Sequence, residues 1–140
     1  EDLARSRNFK SILIGADGVT NAHVLACLRN NSLKKLELIW CYDITRDVLD
    51  DIVSTQAATL EELAIILCAE DSPHDDDLYY PLGITFSALL RLVRACPKLT
   101  KLHWQHVRRD GDVTRSILTS GGTMCEILAE RGGRFRHDWT

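Results

Sequence analysis

Glycine and proline are sparse in this 140-residue chain, at eight and three residues. That scarcity excludes a collagen-like rod and a Gly/Pro-rich flexible linker. Long hydrophobic runs are missing too, and no stretch approaches the roughly 20 apolar residues that a membrane helix needs. Paired cysteine motifs are absent as well. The five cysteines, at 27, 41, 68, 96 and 125, are odd in number and never in CxxC spacing. No His follows at finger distance, so a disulfide scaffold and a zinc finger are both poor readings. Reduced thiols imply an intracellular protein, cytoplasmic or nuclear. Asn30-Asn31-Ser32, formally a glycosylation acceptor, is the contrary signal. Neither an initiator Met nor an apolar signal core opens the chain, which reads as a fragment of a longer protein.

What is present is the composition of a folded domain, 45% hydrophobic and 26% charged, and the whole span 1–140 is expected to form one domain. The net charge of −3 hides an asymmetry. Residues 1–77 carry 7 basic and 15 acidic side chains, whereas residues 78–140 carry 10 and 5. A dipolar molecule of this kind orients a charged partner, but it lacks the uniform basic face of a nucleic-acid binder.

Laid against itself, the chain repeats the frame apolar-x-x-apolar-x-apolar. It occurs as Phe9-Lys10-Ser11-Ile12-Leu13-Ile14 and Leu33-Lys34-Lys35-Leu36-Glu37-Leu38. It returns as Leu60-Glu61-Glu62-Leu63-Ala64-Ile65 and Leu99-Thr100-Lys101-Leu102-His103-Trp104. In these four copies, all eight residues at the paired x positions are polar, which apolar content alone does not produce. Met124-Cys125-Glu126-Ile127-Leu128-Ala129 is a degenerate fifth copy, expected to be the atypical terminal unit. Behind the frames, Val24, Leu25 and Leu28, then Ile44, Val48, Leu49 and Ile52, then Phe86, Leu89, Leu90 and Val93, fall at helical spacing. Ile117 and Leu118 begin a fourth such set. Each unit therefore predicts a short strand, a turn and an amphipathic helix. Stacked units bury one another's apolar edges.

The frame resembles the leucine-rich repeat. The stretch from Leu33 through Cys41 to Leu49 looks like the cysteine-containing subtype, and Cys96-Pro97-Lys98-Leu99-Thr100-Lys101-Leu102 like a junction between two such units. The resemblance covers about residues 9–120. It implies an α/β fold: a right-handed leucine-rich-repeat solenoid with a parallel concave sheet and outer helices. Proteins of this subtype typically join an F-box to such a solenoid and hold substrates for a cullin-type (SCF) ubiquitin ligase. By that analogy the chain is a substrate-recognition region. The Skp adaptor and cullin would be reached only through an F-box, which is not visible in this sequence. A leucine-rich-repeat scaffold or inhibitor unrelated to ubiquitin is the alternative.

Other side-chain groupings point away from catalysis. Cys41 and Cys68 stand eight residues after their frames begin, where a thiol fills a small gap and donates a weak hydrogen bond. Asp17 and Val107 hold the matching places in the first and fourth units. The interval between the third and fourth frames carries an acidic insertion at about 69–83, with Glu70, Asp71, Asp75, Asp76 and Asp77. Its spacing lacks the alternation and pivotal Gly of an EF-hand loop, so a solvated loop that tunes association is expected in place of a metal site. Of the five histidines, His103 and His106 lie close together, but no nucleophile or orienting acid accompanies them. Gly15-Ala16-Asp17-Gly18 is too short for a phosphate loop. No enzymatic activity, metal or cofactor is expected.

Period-2 alternation places the remaining strand residues on the concave side. These are Ser11, Leu13 and Gly15; Lys35, Glu37 and Ile39; Glu62, Ala64 and Ile66; and Lys101, His103 and Gln105. Trp40, Leu67 and His106 follow directly. Leu13, Ile39, Trp40, Ile66 and Leu67 put apolar atoms where solvent is expected, and Lys35, Glu37, Glu62, Lys101, His103, Gln105 and His106 surround them. Such a patch marks a protein-binding site, with neither nucleic acid nor membrane as partner, or else a strip that the chain's own flanking segment covers. The segment from Arg131 to Thr140 is expected to be a cap: Gly132-Gly133 reverses the chain, and Phe135 and Trp139 cover the terminal edge. Arg131, Arg134 and Arg136 would then stay in water.

Overall fold

The computed structural model describes residues 9–16, 18–41, 43–66, 84–106 and 120–139, without the side chains of His106, Asp138 and Trp139. Asp17, Leu67, Cys68, Val107, Ile117, Leu118 and the acidic insertion lie outside the described residues. Among the described residues, nine elements alternate: β1 (Ser11–Gly15), α1 (Asn21–Arg29), β2 (Lys35–Ile39), α2 (Asp47–Gln56), β3 (Glu62–Ile66), α3 (Phe86–Ala95), β4 (Lys101–His106), α4 (Gly122–Glu130) and β5 (Arg134–Trp139). The strands form one five-stranded parallel sheet in sequential order, β1-β2-β3-β4-β5. A described helix stands in every connection, as parallel neighbours require.

The polar pair inside each frame shapes the entry to the strand. Lys10 O accepts from Lys34 N and Lys35 N at 2.8 and 3.0 Å, and Lys34 O accepts from Glu61 N and Glu62 N at 2.8 and 2.9 Å. Glu61 O accepts from Thr100 N and Lys101 N at 2.9 and 3.2 Å. The resulting register sets Ser11, Lys35, Glu62, Lys101 and Arg134 in one row across the sheet. Frame position faces frame position throughout.

The apolar frame residues face inward. Ile12, Ile14, Leu36, Leu38, Leu63, Ile65, Leu102 and Trp104 are buried, as are Leu33, Leu60 and Leu99 one turn earlier. The helices supply the other wall through Val24, Cys27 and Leu28; Val48, Leu49 and Ile52; Phe86, Leu89, Leu92 and Val93; and Met124 and Leu128. Leu25 and Leu90, expected in the core, are only half-buried. Threonines start two of these helices. Thr85 Oγ1 accepts from Ala88 N at 3.1 Å, and Thr20 N donates to His23 Nδ1 at 3.0 Å, satisfying groups that a helix start leaves open.

The C-terminal unit departs from expectation. Residues 122–130 form α4, not a strand, because Met124 and Leu128 lie four apart and both point to the core. Residues 131–139 do not fold across the edge of the sheet. They turn at Gly132 (φ +81°) and extend the sheet as β5, in parallel register with β4. Gly133 has no room for a side chain, since a Cβ there would collide with the Thr100 carbonyl. Phe135 packs half-buried on the core and meets Phe86 edge-on at 6.3 Å; His137 meets the same ring at 4.6 Å.

Arg131 also departs from expectation. It is half-buried, and its guanidinium donates to Val93 O, Cys96 O and Leu99 O at 3.2, 3.0 and 2.8 Å, closing the C-terminal end of α3. Gln56 does the same for α1. With 1% exposure, it donates to Leu28 O and Asn31 O, each at 2.9 Å, and accepts from Leu33 N at 2.7 Å. Asn31 adds a third such link, from Phe9 N at 2.8 Å to Cys27 O at 2.8 Å.

Cys41 sits where the strand bends, fully buried, with Ile14 O and Ile39 O at 3.5 and 3.6 Å as alternative acceptors for its single S–H. Burial pushes the Cys27, Cys41 and Cys96 thiols above their ordinary range, which suppresses the reactive thiolate. Cys125 is exposed.

Two outcomes follow from this packing. Gln56→Leu strands three buried backbone groups, each costing on the order of 1 kcal/mol or more when unpaired. A loss of about 3 kcal/mol is expected in urea unfolding, and a neutral result would refute the bridging role. Under limiting maleimide in native buffer, Cys125 should be modified before Cys27, Cys41 and Cys96, as read by peptide mass mapping.

Candidate functional site

The strands offer two faces, and the described helices cover only one. On the open face the register arranges three rows. The first is Ser11, Lys35, Glu62, Lys101 and Arg134. The second is Leu13, Glu37, Ala64, His103 and Arg136. The third is Gly15, Ile39, Ile66, Gln105 and Asp138. Adjacent strands are about 4.8 Å apart, so side chains along a row are direct neighbours.

Apolar exposure gathers at the β1–β3 end. Leu13 is 55% exposed and Trp40 53%; Ile39 and Ile66, register partners, are half-buried. Phe9, at the β1 edge, is 40% exposed. Trp40 adopts φ +58°, the sole non-glycine positive φ among the described residues. Its amide still donates to Ile66 O at 2.7 Å, carrying the β2–β3 ladder one residue further. A bulky side chain in the left-handed region costs on the order of 1–3 kcal/mol, and strain of this sort gathers at functional positions.

Charge runs from β2 across to β5 in the first two rows. Lys35 pairs with Glu37 at 3.1 Å, and Lys101 with Glu62 at 3.5 Å. The hydrogen bond to Glu37, reinforced by the charges of Glu37 and Glu62, holds the Lys35 ammonium above its usual range. Ala64, between Glu37 and His103 in its row, is short, and a shallow depression of about 190 Å³ opens over it. Lys101, His103, Arg134 and Arg136 line its far side.

Of the residues singled out in the sequence, Leu13, Lys35, Glu37, Ile39, Glu62, Ile66, Lys101, His103 and Gln105 share this face, with Trp40 at its end. His106 ends β4, its side chain outside the description, and Leu67 lies outside the described residues. Arg134 and Arg136 join the face unforeseen, because the strand that carries them has Gly132 where the other frames begin with an apolar residue. The signal available was the alternation Arg134-Phe135-Arg136-His137 after a Gly-Gly turn.

Among the described residues, no cluster of three or more His, Cys, Asp or Glu is placed to hold a metal, and no helix is long and apolar enough to cross a membrane. The chain matches no known protein family, no curated protein and no solved structure.

Replacing Trp40 by glycine removes the left-handed strain but frees the unfolded chain, and these effects nearly cancel. Trp40→Gly should unfold within about 1 kcal/mol of the parent, whereas Trp104→Ala, in the core, should lose about 3–5 kcal/mol. A Trp40→Gly loss as large as that of Trp104→Ala would show that Trp40 serves packing.

Proposed function

We propose that this chain is a protein-recognition module that docks a partner on the open face of its sheet. The observation that carries the reading is the apolar strip of exposed Leu13 and Trp40 with half-buried Ile39 and Ile66, which has charged residues beside it and a strained tryptophan at its edge. An uncovered apolar cluster rimmed by charge is the usual surface of an interaction site, and aromatic anchors carry much of the energy at such sites. The sequential parallel sheet with one helix-covered face supports an α/β solenoid of the leucine-rich-repeat kind. The cysteine-containing frame supports the cysteine subtype, with Cys41 bonded to the backbone at the strand's end.

On that resemblance, the more specific reading is the substrate-holding region of an F-box-type ubiquitin ligase subunit, acting without catalysis of its own inside the cell. Assembly with a Skp adaptor and cullin would then require an F-box elsewhere in the full protein.

Capture from cell extract by the immobilised chain tests the binding face. The double variant Leu13→Glu, Trp40→Gly should lose the captured partner while keeping the parent's circular dichroism spectrum. Full retention by a folded variant would move the binding site elsewhere. Recovery of Skp and cullin by the full-length protein, and not by a version lacking its upstream region, separates the ligase reading from a free-standing scaffold.

A further inference from the structure

We propose that the β3–β5 part of the open face is a subsite for the acidic end of a peptide, one rich in Asp and Glu side chains. The inference rests on the protein-recognition reading and names the chemistry of the partner.

Charge complementarity carries it. Lys101 and Arg134 are register neighbours in one row, and His103 and Arg136 in the next. All four line the same depression over Ala64. Two acids line the same depression, and both face a lysine: Glu62 faces Lys101 at 3.5 Å, and Glu37 faces Lys35 at 3.1 Å. Arg134 is exposed, and its guanidinium has no ion pair among the described residues. Asp138, the acid of β5, pairs in register with Gln105, one row from Arg136 and two from Arg134; the lining of the depression still holds Lys35, Lys101, Arg134 and Arg136 against Glu37 and Glu62. The local balance is therefore cationic, and an arginine fork suits a carboxylate with two parallel hydrogen bonds.

Geometry and charge together favour a peptide over a nucleic acid. From β1 to β5 the sheet spans four strand spacings, about 19 Å, which an extended segment of about six residues crosses. Such a segment places an apolar side chain near Leu13 or Trp40 and its carboxylates over Arg134 and Arg136. A continuous phosphate backbone along the same path meets Glu37 and Glu62, and the few cations present give it little counterion-release affinity.

The test measures fluorescence anisotropy of fluorescein-labelled hexaglutamate with the whole chain at about 50 mM salt. Hexalysine and a six-nucleotide thymidine oligomer serve as comparison probes. Hexaglutamate should bind, weaken severalfold at about 300 mM salt as screening shortens, and lose at least about ten-fold in Arg134→Glu, Arg136→Glu. Arg134→Gln, Arg136→Gln, which removes charge without repulsion, should lose about three-fold or more, and thermal melts of both variants should match the parent. The subsite is overturned if hexaglutamate fails to bind, if hexalysine binds equally, if folded Gln variants bind unchanged, or if the oligonucleotide binds more tightly. In extract capture, loss of the partner on Leu13→Glu, Trp40→Gly but not on Arg134→Gln, Arg136→Gln would sink the acidic subsite while leaving protein recognition intact.

Discussion

Four backbone carbonyls hold the units of this protein in step. Lys10 O, Lys34 O, Glu61 O and Thr100 O occupy the same place at successive strand entries and accept amides of the following unit. Three of them accept two donors each, so the next strand is pinned at two consecutive residues before its ladder begins. That constraint matters because a slip of one residue in a strand turns every side chain to the opposite face. Pinned entries keep Leu36, Leu63 and Leu102 in the core row, and Lys35, Glu62 and Lys101 in the solvent row. The chemistry of the open face is thus a consequence of backbone pairing at its rim.

Strands β1 to β4 were legible because the same frame, with two polar residues after the first apolar one and apolar residues at the alternating third and fifth places, recurs four times. The terminal unit was not. Met124, Ile127 and Leu128 fit an apolar-x-x-apolar frame and equally an i, i+3, i+4 helical stripe. The structure resolves that ambiguity in favour of the helix, with Met124 and Leu128 buried. The true fifth strand hid behind Gly132, whose place calls for positive φ, and behind His137, which packs on Phe86 where other frames carry Ile, Leu or Trp. Packing against an aromatic ring satisfied a polar residue that hydropathy alone assigns to solvent.

Polar staples were invisible for a related reason. Gln56, Asn31 and Arg131 each bridge the end of a helix to a neighbouring turn. In a sequence such residues look like ordinary solvated positions, since their value lies in backbone groups that only the fold assembles. On the open face, alternation located Leu13, Lys35, Glu37, Glu62, Lys101 and His103, but it gave no measure of exposure. Ile39 and Ile66 shield each other as register partners and are half-buried, whereas Leu13 and Trp40 stand clear. Arg134 and Arg136 were missed along with the strand that bears them.

The open face joins two kinds of physics within about 20 Å. Its apolar end supplies affinity that added salt hardly weakens, while its cationic end acts through charge and fades as screening grows. Neither suffices alone: a few exposed ion pairs are worth little, and a small apolar strip discriminates poorly among partners. Placed on one rigid sheet, the two ends require a ligand with an apolar anchor and acids at a fixed separation. Rigidity comes from the carbonyl pins at the strand entries and from polar staples at the helix ends, all away from the open face. Trp40 stands half-exposed at the end of these rows, outside the core, which leaves it held in a strained conformation where a partner can meet it.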